Sequence, residues 1–166
     1  MPSYSRNGTI TRDGESAAIT FERRLPYPIA AVWAAITDPQ QRGMWFGATT
    51  LEPRVGGTIE MTAEGPPVPP NVRRMTGRIL VWDPPHVFEH EWKQSIVGDS
   101  VVRYELNADG DATILRFTHS GLRARDAMGY IPGEHAFLDR LEAHLGGAGL
   151  PVWTQRYAEV KSAYGA

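Results

Sequence analysis

The 166-residue sequence predicts an α+β domain, a curved seven-stranded antiparallel sheet wrapped around one long C-terminal helix, with two short helices after the first strand. Three observations carry this prediction. The block from Phe21 to Leu51 begins as a charged strand, passes through Pro26 and Pro28 into an apolar helix, and ends at the aromatic pair Trp45 and Phe46. From Thr49 to His119 the apolar period is two, interrupted by glycine, proline and asparagine turns. After His119 the period returns to three and four, as a helix requires.

Residues 1–15 are polar and rich in glycine and serine, and read as a flexible arm. Alternation starts at Ala17, with Ile19, Phe21 and, at its limit, Arg23 on one side and Thr20 and Glu22 on the other. This strand ends near Leu25. Pro28 suits a first helical turn, where its missing N–H has no partner to lose. Ile29, Val32, Trp33 and Ile36 then form an apolar stripe that Thr37-Asp38-Pro39 ends. Gln40–Phe46 reads as a second, short helix.

The remaining strands are expected at Thr49–Pro53, Thr58–Ala63, Met75–Trp82, Val87–Lys93, Ser100–Leu106 and Thr113–His119. Turns at Gly56-Gly57, Asp83–Pro85, Val97–Asp99 and Asn107–Asp111 separate them. Glu64–Asn71 holds four prolines and reads as a surface loop. In the closing helix Ile131, His135, Leu138, Leu141, Glu142 and Leu145 share a face, and Gly146-Gly147 stops it. Pro132-Gly133 is expected only in its first turns. Residues 147–166 form a C-terminal extension in which Val152, Trp153, Tyr157 and Val160 fall at helical spacing. Docking on the chain's own body and docking on a second copy are both open.

Composition bounds the function. A hydrophobic fraction of 42% and a charged fraction of 22% describe an ordinary globular domain. With 17 basic against 19 acidic residues there is no electrostatic reason to expect nucleic acid. The absence of cysteine excludes disulfides, thiolate ligands and a cysteine nucleophile. The first residues have no signal-peptide core, and no stretch is long enough to span a bilayer, so a cytoplasmic protein without membrane insertion is expected.

Several blocks resemble the START-type (SRPBCC, birch-pollen-allergen-like) helix-grip superfamily, and within it the branch of activator-of-heat-shock-protein-90-ATPase homologues. They are Pro28–Ile36, Asp38-Pro39 with Trp45-Phe46, Pro53–Gly57, Gly77–Pro85, Val87–Trp92, Thr113–Gly121 and Gly129–Leu145. Tyr130 stands where this branch often has tryptophan. The likeness spans residues 16–146 and implies a ligand-binding cavity between sheet and closing helix. Such folds bind lipids, sterols, polyketides and hormones, and some are cyclases or hydrolases. The branch takes its name from a co-chaperone domain. This sequence shows no counterpart of that protein's separate N-terminal domain, so a chaperone partner is not expected.

Candidate site residues follow from alternation. Phe88, His90 and Trp92 face away from Val87, Glu89 and Glu91, and so point inward. Trp82, Tyr104, Phe117 and His119 occupy inward positions on their own strands, and His135 and Leu138 do so on the closing helix. Trp45 and Phe46, beside Met44, stand where a helix-grip cavity opens. Each of these fits either core packing or a cavity wall. His90 or His119 would orient a ligand or, with a carboxylate such as Glu142, act as general base. Among His86, His90, His119, His135 and His144 no compact metal motif exists, and no metal or cofactor is expected. The leading expectation is binding of a small hydrophobic or amphipathic molecule. A small hydrolase or cyclase using a cavity histidine, and a co-chaperone-like interaction module, are the alternatives. Homodimerisation through the C-terminal aromatics is also open.

Overall fold

A computed structural model describes residues 4–94 and 98–165. Eight antiparallel strands form one sheet in the order β1-β2-β8-β7-β6-β5-β4-β3. They are β1 (Thr9–Asp13), β2 (Ser16–Leu25), β3 (Gly47–Leu51), β4 (Thr58–Ala63), β5 (Arg74–Asp83), β6 (Val87–Gln94), β7 (Gly98–Asp109) and β8 (Ala112–Arg123). Helices α1 (Ile29–Thr37) and α2 (Pro39–Trp45) join β2 to β3, and α3 (Pro70–Arg73) precedes β5. The long helix α4 (Ala124–Leu145) lies across the concave face, and α5 (Trp153–Val160) packs on α4 of the same chain.

The expected arrangement is present, with the helix-grip order of elements, but the sheet has one strand more than the sequence suggested. Within residues 1–15, Thr9–Asp13 pairs with β2, Thr9 opposite Thr20 and Asp13 opposite Ser16. An edge strand with polar residues on both faces leaves no apolar alternation to read, because it buries almost nothing. Residues 1–3 and 166 lie outside the described residues, as does Val97 of the expected Val97–Asp99 turn. Gly98 and Asp99 already belong to β7.

Two further differences have clear causes. Pro132 sits about two turns inside α4, not at its start. Proline there removes the N–H that would bond the Met128 carbonyl. Side chains of α5 bond carbonyls of the same stretch, Tyr157 donating to Gly129 O and Trp153 to Gly133 O, each at 3.2 Å. On β5 a register shift between Ile79 and Val81 interrupts the alternation. Ile79 is therefore buried while Leu80 is exposed, and Trp82 packs edge-on to Trp33 with ring centroids 5.3 Å apart.

The core lies between sheet and α4 and includes Ile19, Phe21, Ile36, Phe88, Leu106 and Leu141. The β7–β8 hairpin turns at Gly110, whose φ of 60° favours a residue without Cβ. No helix among the described residues is long and apolar enough to cross a membrane.

Candidate functional site

A cavity of about 530 Å³ opens where the first half of α4 parts from the sheet, bounded also by the 65–67 loop and by α5. Two glycines explain how α5 becomes its outer wall. A Cβ on Gly65 would fall 2.2 Å from the Trp153 ring, and one on Gly133 would fall 3.0 Å from it. The indole therefore lies against bare backbone on both sides, and its Nε1 donates to Gly133 O. Tyr157 lies tilted beside it with ring centroids 5.1 Å apart, and Phe137 lies at 5.7 Å.

Polar groups gather at the sheet side of this cavity. Gln94 Oε1 accepts from Tyr130 Oη at 2.5 Å and from Trp92 Nε1 at 3.2 Å, while Gln94 Nε2 donates to Val72 O. Burial pushes the Tyr130 phenol up, and the nearby Glu134 carboxylate adds to this, so Tyr130 remains a donor. Glu134 also lines the cavity although it is only 6% exposed. Its Oε2 lies 3.1 Å from His119 Nδ1, and His119 Nε2 lies 2.7 Å from Ser100 Oγ. Glu134 Oε1 is buried and has no hydrogen-bond partner among the described residues.

Of the residues that alternation pointed inward, Trp92 lines the cavity. Phe46 backs it, with ring centroids 6.1 Å from Trp92 and 4.6 Å from Phe137. His119 lies 5.0 Å from the Trp92 ring and reaches the cavity through Glu134. Phe88, Tyr104 and Phe117 form a deeper aromatic layer, with Phe88 stacked on Tyr104 at 5.9 Å and Phe117 edge-on to Tyr104 at 5.3 Å. His90 lies in that layer beside Phe88, fully buried, its Nδ1 bonded to Glu91 O and its Nε2 unpartnered among the described residues. Burial pushes its pKa down to about 3, which keeps the ring neutral. Trp45 donates to Ala35 O, Leu138 is buried in the core, and Trp82 packs against Trp33 at the opposite end.

His135 belongs to a different environment. Its Nδ1 lies 2.7 Å from Tyr164 Oη and its Nε2 3.4 Å from Asp139. Asp139 is 7% exposed and bonds Arg6 at 2.5 Å, Arg23 at 2.7 Å and Arg156 at 2.6 Å. Burial alone would raise its pKa, but His135 and these arginines hold it well below the usual carboxylate range. Glu142 joins this cluster through Arg6, so it is not a neighbour for His90 or His119. The three histidines thus occupy three environments: behind the cavity wall, in the deep core and in the ion cluster.

Sequence reasoning passed over Glu134, Phe137, Gln94 and Trp153 as cavity residues. The signal for Glu134 was present, since it stands at i+3 from Ile131 and i−4 from Leu138 on the inward stripe. Gln94 and Trp153 offer no such signal, because their convergence depends on tertiary packing alone.

The architecture and the cavity define a helix-grip protein of the START type. The family described as Activator of Hsp90 ATPase homolog 1-like protein matches residues 26–146, most of the chain, and the chain belongs to that family. Among solved structures, CalU16 from Micromonospora echinospora is 24% identical with a TM-score of 0.73, over 96% of this chain and 92% of that one. The protein encoded by gene BPP1335 from Bordetella parapertussis is 27% identical with a TM-score of 0.72, over 99% and 94%. DynU16, from the dynemicin biosynthetic locus, is 22% identical with a TM-score of 0.67, over 78% of this chain and 47% of that one. Among curated proteins none matches.

Proposed function

We propose that this protein binds a small amphipathic molecule in the cavity between β4–β6, α4 and α5. The observation that carries this reading is the division of the cavity surface. Met75, Trp92, Phe137 and Trp153 supply an apolar wall, and Gln94, Tyr130 and Glu134 supply a polar end. A volume of about 530 Å³ lies within the range of small-molecule sites, which combine mostly apolar walls with a few placed polar groups. In this reading Trp92 touches the ligand directly and Phe46 holds Trp92 in place. The layer of Phe88, His90, Tyr104 and Phe117 sets the floor without meeting the ligand. An open cavity, rather than one filled by side chains, supports this role over that of a surface-acting interaction module.

A second reading, an enzyme that moves a proton, is favoured by the Ser100–His119–Glu134 chain. In it the carboxylate, not the imidazole, meets the substrate. Ser100 donates to Trp92 O at 3.2 Å and does not line the cavity, so it is not placed as a nucleophile.

The test is native mass spectrometry of freshly purified protein, followed by denaturing extraction of any bound molecule. The expected result is a stoichiometric adduct that the Trp92→Ala variant loses. A clean apo mass, with no uptake from a mixed library of lipids and aromatic metabolites, would sink the binding reading.

A further inference from the structure

The residues lining the cavity change in burial along its length. Pro67, Gly129 and Thr154 are exposed and mark a mouth. Gly65, Gly133, Phe137 and Trp153 are buried and meet around the indole, where they close the cavity. Among these four, Trp153 alone comes from beyond residue 146, where the family match ends.

The Trp153 side chain is fixed in that place. A Cβ at Gly65 or Gly133 would enter the space of its ring, so backbone flanks it on both sides. Nε1 donates to Gly133 O at 3.2 Å, and the Phe137 ring lies tilted against it at 5.7 Å. Turning the indole aside would strand a buried N–H, which costs more than a methylene gains. With that donor satisfied internally, what faces a ligand here is ring surface, which suits hydrocarbon.

On the binding reading above, we propose that Trp153 is the specificity-determining residue of the cavity, a fixed stop that limits how long a hydrocarbon tail the ligand carries inward. The C-terminal extension thereby sets ligand length in a cavity whose other walls come from the shared family fold. A methylene that reaches apolar wall strengthens binding about fourfold. One that meets the indole has no space to enter and adds nothing.

Para-alkylphenols with tails from ethyl to decyl measure this directly. Each is titrated by calorimetry into the full chain, into Trp153→Phe and into Arg156→Gln. Trp153→Phe keeps an aromatic ring in the slot but shortens it. Arg156→Gln loosens α5 at Asp139, outside the cavity lining, and leaves the indole in place. The expected result is an affinity that climbs with each methylene and then levels off. In Trp153→Phe it should level off at a longer tail, with the short homologues binding as before, and in Arg156→Gln at the original length. The terminal methyl of the longest homologue before the plateau should also show nuclear Overhauser contacts to the Trp153 indole. No plateau in the unaltered protein, or a plateau that Trp153→Phe leaves in place, would overturn the inference while the binding reading stands. So would an equal shift in Arg156→Gln, because loosening α5 would then be enough. Absence of the Overhauser contacts would overturn it even if the variants fold poorly. No saturable binding by any homologue would overturn both readings.

Discussion

Glu134 and Asp139 stand little more than a turn apart on α4, both buried and both acidic, in opposite circumstances. Asp139 is saturated, with three arginines on its oxygens, and it joins β2, the N-terminal arm and α5 to one helix. Glu134 has one oxygen on His119 and the other buried with no hydrogen-bond partner among the described residues. One helix thus divides its work between the two. A carboxylate whose acceptors are all filled holds several elements together, whereas the half-filled one ties the helix to β8 alone, through His119. Four experiments put this contrast to the test.

The largest effect is expected at Asp139. Asp139→Asn strands the guanidinium of Arg23, which is only 3% exposed, and should cost about 3–5 kcal/mol in denaturant unfolding. Because the folded carboxyl is held below its ordinary pKa, the unfolded chain takes up the proton first. The stability it contributes is therefore complete above about pH 4 and is lost as pH falls further. The gap between the two proteins should narrow only on that acid side. A gap unchanged down to the lowest workable pH would mean that the cluster does not depend on this charge.

His90 supplies a buried group that is neither saturated nor at the cavity. Its folded pKa lies at about 3 against 6.5 for an ordinary histidine, so protons favour the unfolded chain throughout that interval. Stability should be complete above pH 6.5 and fall by about 1.4 kcal/mol per pH unit below it. Equilibrium unfolding between pH 7 and about pH 5 should lose that slope in His90→Gln. Retention of the full slope would assign it to other groups.

Gly65→Ala tests the outer wall. The added methyl enters the space of the Trp153 ring, and the overpacking should cost about 1 kcal/mol or somewhat more. Tryptophan fluorescence should report the displaced indole. An unaltered spectrum with wild-type stability would show that α5 yields freely. The smallest effect on stability is expected for Glu134→Gln, under about 1 kcal/mol, because the side chain keeps its shape and an acceptor for the His119 contact. A thermal shift comparable to that of Asp139→Asn would erase the distinction between the two carboxylates.

Much of the fold was legible because period and burial agree along single strands. Phe88, His90 and Trp92 alternate against charged neighbours, and all three face inward. The β7–β8 hairpin was legible from its glycine turn. The cavity was less so. Gly65, Trp92, Tyr130 and Trp153 come from four separate segments and meet only through packing, which no local period encodes. Glu142 fits the inward stripe as well as Glu134 does, and only the position of Arg6 decides that it joins the ion cluster. The bulge on β5 was hidden for the same reason, since an extra residue in one strand is defined by its partner strand.

The polar strand β1 has a consequence beyond adding an element to the sheet. Without it, β2 would present an unpaired backbone edge alongside Ile19 and Phe21, the template on which strands of separate molecules pair. Thr9–Asp13 occupies that edge with a short segment carrying threonine, arginine and aspartate, poorly suited to recruiting another strand. A chain beginning after Asp13 should therefore self-associate in a concentration-dependent way that light scattering detects. The first strand then acts as a solubility device, keeping the sheet from continuing into a neighbouring molecule.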